Sequence, residues 1–203
     1  MVRYDRGHKR RTRAAIVDAA AQAFRGQGIE RVGVGEVMAR AGLTHGGFYA
    51  HFASKDALVA EACTSSLLET AGRLFEAPDG TGTKRTLPQV IRAYLSRSHR
   101  DAPDTGCTIA ALGGEIARHS PKTRHAFTQA AQTYVDRLAS LLPEGADPDD
   151  AWALLAGMAG TVMLARAVDD PALSDRLLRA GRRLYGRAFE ADVDTVRTNG
   201  NKE

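Results

Sequence analysis

The sequence predicts an all-α protein of about nine helices, and three observations support this fold class. Apolar residues recur at helical spacing along most of the chain, no alternating apolar and polar run is long enough for a useful strand, and clusters of proline, glycine and aspartate mark the loops. With 203 residues, 43% of them hydrophobic, the chain can bury a sizeable core. We expect a three-helix head at the amino end and a larger helical body, joined by a long helix.

The head contains the most informative stretch of the chain. Its first helix is expected from residue 9 or 12 to residue 26, where glycines end it. The second carries apolar residues at i, i+3, i+4 and i+7 from Val34, and Gly42 then supplies a left-handed stop. Thr44 caps a third helix, on which Phe48 and Phe52 face inward. Two short helices joined by a tight turn are a helix-turn-helix, whose second helix is built to enter the DNA major groove.

Caps and helix breakers place the remaining helices. Ser54 is a good cap for the long fourth helix, prolines start the seventh and ninth helices, and Asp147 or Asp149 can cap the eighth. The stretch 78–83 is a loop, rich in glycine and threonine. From the second helix onward, the expected bounds are 34–41, 44–52, 54–77, 88–99, 105–119, 121–142, 149–168 and 171–191.

The residues from Ala41 to Leu58 resemble the recognition segment of the tetracycline-repressor (TetR) family of one-component regulators, and Thr12 to Gly28 is similar to the family's first helix. The sequence departs from the family at Gly33, where a serine or threonine is usual, so that one cap and one phosphate contact are lost. The resemblance implies a helix-turn-helix DNA-binding domain over residues 1–60 and a ligand-binding and dimerisation domain over residues 61–203. It also implies that the following residues occupy DNA-contacting positions: Thr44, His45, Gly46, Gly47, Tyr49, His51 and Lys55.

The chemistry of these residues suits a nucleic-acid interface. Thr44 and Lys55 stand at helix starts, where phosphates can bind. Gly46 and Gly47 cost helix stability, about 1 kcal/mol each, which a close approach to the groove explains, with His45 left as the main base-reading side chain. Alternatively, the glycines merely fray a surface helix and Tyr49 is a packed aromatic residue. A metal site at the two histidines is not expected, because side chains six apart on a helix diverge.

Positive charge is concentrated in the head. Residues 1–60 carry ten Lys or Arg against five Asp or Glu, whereas the whole chain has a net charge of +4. Such a distribution is typical of a surface that binds phosphate, although an imbalance of this size is also common on solvated faces. The basic residues that could add phosphate or minor-groove contacts are Arg3, Arg6, Lys9, Arg10, Arg11 and Arg13.

The body carries two helices suited to a homodimer. The eighth helix, near 149–168, places small residues beside large apolar ones, and the ninth, near 172–191, is rich in leucine. If each protomer contributes both, a four-helix interface would bury enough apolar surface for a permanent dimer. The alternative is that the eighth helix is the central core helix of a monomer.

A small-molecule pocket in the body follows from the family resemblance. Glu115 and His119 are the least ordinary pair, able to recognise a polar ligand group or to pair with each other. Cys107 is either a redox sensor or inert packing. A plain core role is the alternative for each candidate and is the more common role for such residues. The full set is Tyr94, Cys107, Ile109, Leu112, Glu115, Ile116, His119, Phe127, Tyr134, Trp152 and Met158.

Other classes of protein are less well supported. The sequence lacks the common nucleophile, phosphate-loop, dinucleotide and zinc-protease motifs, so we expect neither an enzyme nor a cofactor. The cysteines are too few for a disulfide scaffold and no signal peptide is visible, which suits the cytoplasm. The uncharged run 151–165 is too short to span a bilayer.

The sequence therefore predicts a dimeric repressor that binds a palindromic operator in double-stranded DNA and is released by a small-molecule inducer. Activation in place of repression stays open, because the same residues would serve both. The alternative from another class is a helical ligand-binding or small enzyme-like module with no DNA-binding role.

Overall fold

The computed structural model describes residues 6–77 and 80–198, with side chains for 7–77 and 80–189. Over this part of the chain it contains α-helices, two 3₁₀ helices and no strand beyond one isolated bridge between Glu76 and Lys84, so the all-α prediction is confirmed. The α-helices are α1 Arg6–Gln27, α2 Val34–Arg40, α3 Lys55–Phe75, α4 Leu87–Tyr94, α5 Arg97–Asp101, α6 Thr108–Ile116, α7 Pro121–Ala139, α8 Asp149–Ala167 and α9 Pro171–Thr198; the 3₁₀ helices are His45–Ala50 and Pro103–Thr105.

The helices belong to two compact units. The head unit comprises Met1–Thr70 and Pro103–Ala131, and the body unit comprises Ala71–Ala102 and Gln132–Glu203. Two of the three boundaries fall inside long helices, α3 and α7, and the third lies between α5 and the second 3₁₀ helix. The head unit thus includes α6, which the sequence had assigned to the body. The functional boundary drawn after residue 60 remains a prediction.

Two of the expected helices are wrong in detail. The helix expected over 88–99 is two helices, because the Ser96 side chain accepts a hydrogen bond from the His99 N–H at 3.1 Å and caps a new helix, α5. The helix expected over 105–119 is shorter, since Cys107 takes an extended conformation at the N-cap of α6 and Pro103–Thr105 forms a separate 3₁₀ turn. Local capping explains both differences.

The core of the head unit is assembled from α1, α2, the first 3₁₀ helix, α3 and α6. Phe24 of α1, Met38 of α2 and Leu58 of α3 have no exposed surface, and Phe48 and Phe52 are almost completely buried beside them. The two phenylalanine rings stack with their centroids 5.7 Å apart. These buried rings fix the segment that follows the turn onto the rest of the head unit.

In the body unit, α8 and α9 pack closely at two glycines. A Cβ atom at Gly157 of α8 would lie 2.5 Å from the Tyr185 hydroxyl oxygen of α9, and one at Gly181 of α9 would lie 3.1 Å from the methyl group of Thr161 of α8. Absent side chains at these positions let the helices approach. Gly157, one of the small residues on the eighth helix, is therefore covered by α9 of the same chain.

Candidate nucleic-acid interface

The turn expected at Gly42 forms and positions the segment after it. Gly42 has φ of +71°, and the Leu43 N–H donates to the Met38 carbonyl at 2.8 Å. We call residues 44–52 the recognition segment. It is helical as predicted, but His45–Ala50 is a 3₁₀ helix, and Thr44 at its N-cap makes no side-chain capping hydrogen bond. Two adjacent glycines in so short a helix explain the weak regular structure.

Burial separates the two faces of the recognition segment. Phe48 and Phe52 point into the core with 1% and 2% exposed surface. Thr44 and His45 are exposed, and 72% of the Tyr49 surface is open to solvent. Tyr49 touches the edge of Phe48, yet its exposure rules out the packed-aromatic alternative. The outer face thus exposes a threonine hydroxyl, an imidazole and a phenol to solvent.

The glycines of the recognition segment are not required by the protein's own packing. A Cβ atom at Gly46 would meet no atom within 4 Å, and one at Gly47 would only touch the end of Met38 at 3.5 Å. Neither residue has positive φ. A Cβ atom at a third glycine, Gly35 of α2, would lie 3.5 Å from the His45 ring, a neighbour that the sequence did not reveal. The backbone is exposed at Gly46 and half-buried at Gly47, and at Gly46 it is open to a close partner.

Lys55 has a partner inside the head unit. Its ammonium group donates to the Ile29 carbonyl at 2.6 Å, and the Ile29 N–H in turn donates to the Glu115 carboxylate at 2.8 Å. The sequence alone predicts only a DNA contact for Lys55. An ammonium group has three protons, so two others can still reach a phosphate oxygen. Lys55 therefore has a structural bond in addition to its predicted DNA contact.

His51 lies at the end of the recognition segment. Its Nδ1 atom is buried without a hydrogen-bond partner among the described residues. Partial burial of the ring lowers the pKa of His51 below its ordinary value of 6.5, and the nearby charges of Lys9 and Arg13 lower it further. At neutral pH the ring is therefore uncharged, and because Nδ1 has no acceptor to donate to, its proton belongs on Nε2.

The predicted basic arm is divided by the structure. Arg3 and the side chain of Arg6 lie outside the described residues, and the side chains of Lys9, Arg10 and Arg11 are exposed on α1. Arg13 is different, because its guanidinium group donates to the His51 carbonyl and to the Glu61 carboxylate. Its phosphate-contacting role is therefore no longer the simplest interpretation.

The pocket candidates in the head unit already have partners or core positions. Leu112 and Ile116 are buried in the core, and Phe127 packs partly buried against it. Glu115 accepts from Ile29, and His119 contacts the Asp56 carboxylate at 3.2 Å, so the two do not pair with each other. The remaining candidates here are Cys107, which is buried, and Ile109, which is half-buried.

In the body unit the candidates divide between core and surface. Tyr94, Tyr134 and Met158 are almost completely buried. Trp152 is 37% exposed, so its expected inward position on α8 is wrong. The run around it is uncharged, and uniform apolar character does not reveal which face of a helix is buried. A single pocket formed by these candidates remains a prediction.

Cysteine and metal chemistry receive no support from the described side chains. Neither cysteine forms a disulfide and both are buried, and burial raises the pKa of the Cys63 thiol to about 12. A thiol with so high a pKa is a poor nucleophile at neutral pH. Within the part of the chain that the structure describes, no group of His, Cys, Asp or Glu could hold a metal ion, and no helix is long and apolar enough to cross a membrane.

The geometry defines a helix-turn-helix protein with an exposed, polar recognition segment. Comparison with known proteins gives the family. Residues 16–62 match the family model described as bacterial regulatory proteins, tetR family, and residues 83–181 match the tetracyclin repressor-like C-terminal domain. The chain therefore belongs to the TetR family, whose members are DNA-binding transcriptional regulators and not enzymes.

Individual relatives agree with this assignment. The chain is 38% identical over 79 residues to the transcriptional regulator TtgR of Pseudomonas putida, a match that covers 39% of this chain and 37% of that protein. A TetR regulator from Chloroflexus aurantiacus superimposes with a TM-score of 0.65 at 25% identity, covering 86% of this chain and 94% of that one. FadR from Bacillus subtilis, solved in complex with stearoyl-CoA, gives 0.58 at 17% identity, covering 83% and 96%. The sequence match to TtgR thus spans little more than a third of that relative.

Proposed function

We propose that the chain is a homodimeric transcriptional repressor that binds a palindromic operator and leaves it when a small-molecule inducer binds. The observation that carries the proposal is the recognition segment: two buried phenylalanines hold it to the head while its other face exposes Thr44, His45 and Tyr49. A helix of this kind reads base edges in the major groove with side chains near its amino end. His45 is the side chain best placed to read bases.

The other proposed DNA contacts serve position and affinity. Phosphate contacts supply most of the affinity of such interfaces, whereas base edges supply the sequence preference. Thr44 has an unused hydroxyl, Tyr49 an exposed phenol, and His51 a ring that is neutral at pH 7 and can donate once. Gly46 and Gly47 let the backbone approach the duplex. Lys55 would contact a phosphate with the protons that Ile29 does not use.

An exposed apolar stripe supports the proposed dimer. On α8, Trp152, Met163 and Leu164 are 37%, 54% and 51% exposed, and Ala156 lies on the same side. On α9, Leu184 is 64% exposed. Large apolar side chains exposed together on neighbouring helices are typical of a surface that meets a partner. The stripe lies on the two helices near 149–168 and 172–191 that the sequence pointed to, and a second copy of the chain would cover it.

The proposed dimer would determine the distance between the two recognition segments, and therefore whether they fit the operator. Two recognition segments must reach major grooves about 34–36 Å apart for half-sites one helical turn apart. An inducer that binds the dimer and favours another spacing would release the operator, since a ligand shifts an equilibrium by its difference in affinity for the two states. FadR with stearoyl-CoA shows a protein of this fold holding a small molecule. We place this regulator in the cytoplasm, where its operator would be.

A gel-shift titration tests the proposal. Duplex DNA flanking the protein's own coding region is titrated with purified protein, and the mass of the free protein is measured by light scattering. Retardation by a dimer, followed by release with one compound from a metabolite and drug screen, supports the proposal. A monomer that retards no such fragment contradicts the proposal and favours a helical ligand-binding module with no DNA-binding role. If the bound dimer stimulates transcription, the protein is an activator and not a repressor.

A further inference from the structure

Arg13 of α1 joins three segments of the head unit. Its Nη1 group donates to the His51 carbonyl at the end of the recognition segment, and its guanidinium carbon lies 4.0 Å from the centre of the Phe52 ring. On the opposite side, Nε donates to one Glu61 carboxylate oxygen at 2.9 Å and Nη2 donates to the other. Arg13 therefore connects α1 and α3 with the last residues of the recognition segment.

This arrangement uses properties that only arginine has. The planar guanidinium fork binds both carboxylate oxygens at once, and its face can lie over an aromatic ring while a third donor reaches a carbonyl. Lysine carries the same charge but no fork. The pair is partly exposed, with 39% and 40% of the two side chains open to solvent, so the ion pair alone adds little stability. What it fixes is the position of the His51 carbonyl.

We propose that Arg13, held by Glu61, is a positioning residue for DNA recognition: it sets the orientation of the recognition segment and touches no phosphate itself. The inference rests on the proposed DNA-binding function and goes beyond it. Glu61 would thus promote operator binding although it carries a negative charge. Simple electrostatics predicts the opposite, because removing a negative charge from a DNA-binding head raises its affinity for phosphate.

Glu61→Gln separates the two explanations by the sign of its effect. The glutamine loses the charge-assisted fork, so we expect operator affinity to fall about threefold to tenfold. Glu30→Gln is the matched control, since Glu30 is an exposed carboxylate of the same head unit. The affinity of this variant for the operator should rise slightly or stay unchanged. A rise for Glu61→Gln equal to that of Glu30→Gln would overturn the proposal.

Arg13→Lys and Lys9→Ala test the role of charge. If Arg13 positions the segment, Arg13→Lys loses operator affinity by about tenfold despite its conserved charge, and the slope of log affinity against log salt is unchanged. Lys9→Ala removes an exposed cation and should reduce that slope by roughly one unit if Lys9 meets a phosphate. Wild-type affinity in Arg13→Lys, or a reduced slope in Arg13→Ala, would show that Arg13 contacts phosphate and overturn the proposal. All titrations are run well below the melting temperature of each variant.

A measurement without DNA keeps this inference separate from the proposed function. The His51 and Phe52 N–H groups both donate to the Phe48 carbonyl, at 2.9 and 3.0 Å. Loss of the Arg13 anchor should therefore speed hydrogen exchange of these two amides in Arg13→Lys and Glu61→Gln, but not in Glu30→Gln. Unchanged exchange would overturn the positioning role even if the chain binds no DNA. Faster exchange in these two variants, together with retardation of an operator by the wild-type protein, supports both proposals.

Discussion

Glu115 gives the sharpest prediction, because the structure assigns it a different partner from the one its sequence position suggested. Its carboxylate accepts a hydrogen bond from the Ile29 N–H at 2.8 Å, and Ile29 has no exposed surface. Gly28, with φ of +90°, leaves the space: a Cβ atom there would lie 3.0 Å from a Glu115 oxygen. The carboxylate thus ties α6 to Ile29, the second residue after α1.

The expected loss on truncation follows from this burial. Glu115→Ala removes the acceptor and leaves a buried N–H unpaired, which costs about 1–3 kcal/mol. In a chain of this length, 1 kcal/mol corresponds to a shift of roughly 2–4 °C in melting temperature, so a cost near 2 kcal/mol lowers it by about 4–8 °C. Glu115→Gln keeps an oxygen acceptor and should lose less than half as much. An exposed control, Glu144→Ala, should change stability by less than about 0.5 kcal/mol.

Urea unfolding followed by circular dichroism measures these differences, and hydrogen exchange at the Ile29 amide reports the bond itself. We expect exchange at Ile29 to accelerate in Glu115→Ala and to stay slow in the Glu144→Ala control. If Glu115→Ala is as stable as wild type while the response to an inducer is lost, the carboxylate belongs to a ligand site and the structural interpretation is wrong.

Three further predictions concern single side chains. Burial opposes ionisation of Asp56, but Ser120 and His119 donate to its carboxylate and hold its pKa below the ordinary value, so Asp56→Asn should lose about 1 kcal/mol at pH 7. This stabilisation is complete above the ordinary pKa of 3.8 and is lost as the pH falls through the lower pKa of the folded state. The unfolding curves of variant and wild type should therefore converge in acid. A difference in stability that does not change with pH would exclude the carboxylate as its cause. Gly33→Ser restores a cap for α2 at a position where a Cβ atom meets nothing within 4 Å. The variant should gain a few tenths of a kcal/mol in the free energy of unfolding and should bind DNA more tightly. Unchanged affinity in a gel shift would show that this position makes no phosphate contact. In Gly157→Ala the new methyl group meets the Tyr185 hydroxyl, so the variant should lose about 1–3 kcal/mol of stability in thermal unfolding. Gly160→Ala is the control, because a Cβ atom at Gly160 meets nothing within 4 Å in the single chain, and its stability should not fall. Equal melting temperatures for the two variants would contradict the packing described.

Local patterns predicted the helix-turn-helix well. The spacing of Phe48 and Phe52 gave their burial, and Gly42 gave the turn, because both depend only on residues close in sequence. The family resemblance then supplied the class of protein, which the family models confirm.

Partners distant in sequence were missed for a physical reason. Arg13 and Glu61 are 48 residues apart, and Ile29 and Glu115 are 86 apart. Neither pair leaves a periodic signal in the sequence. The sequence alone therefore suggests a DNA contact for Arg13 and a ligand contact for Glu115. Two features of the sequence point to such partners: Arg13 lies beside the buried face of α1, and Glu115 lies on a mostly apolar helix. A charged group in either position requires an internal partner.

The central claim is that two recognition segments, carried by one dimer, lie in successive major grooves of an operator. Hydroxyl-radical footprinting of the wild-type protein on the DNA flanking its coding region tests this most directly, with His45→Ala as the comparison. We expect two protected patches on one face of the duplex, about 10 base pairs apart or a multiple of this spacing, and an altered sequence preference in the variant. A single unrepeated patch, or no protection on any such fragment, would contradict the account.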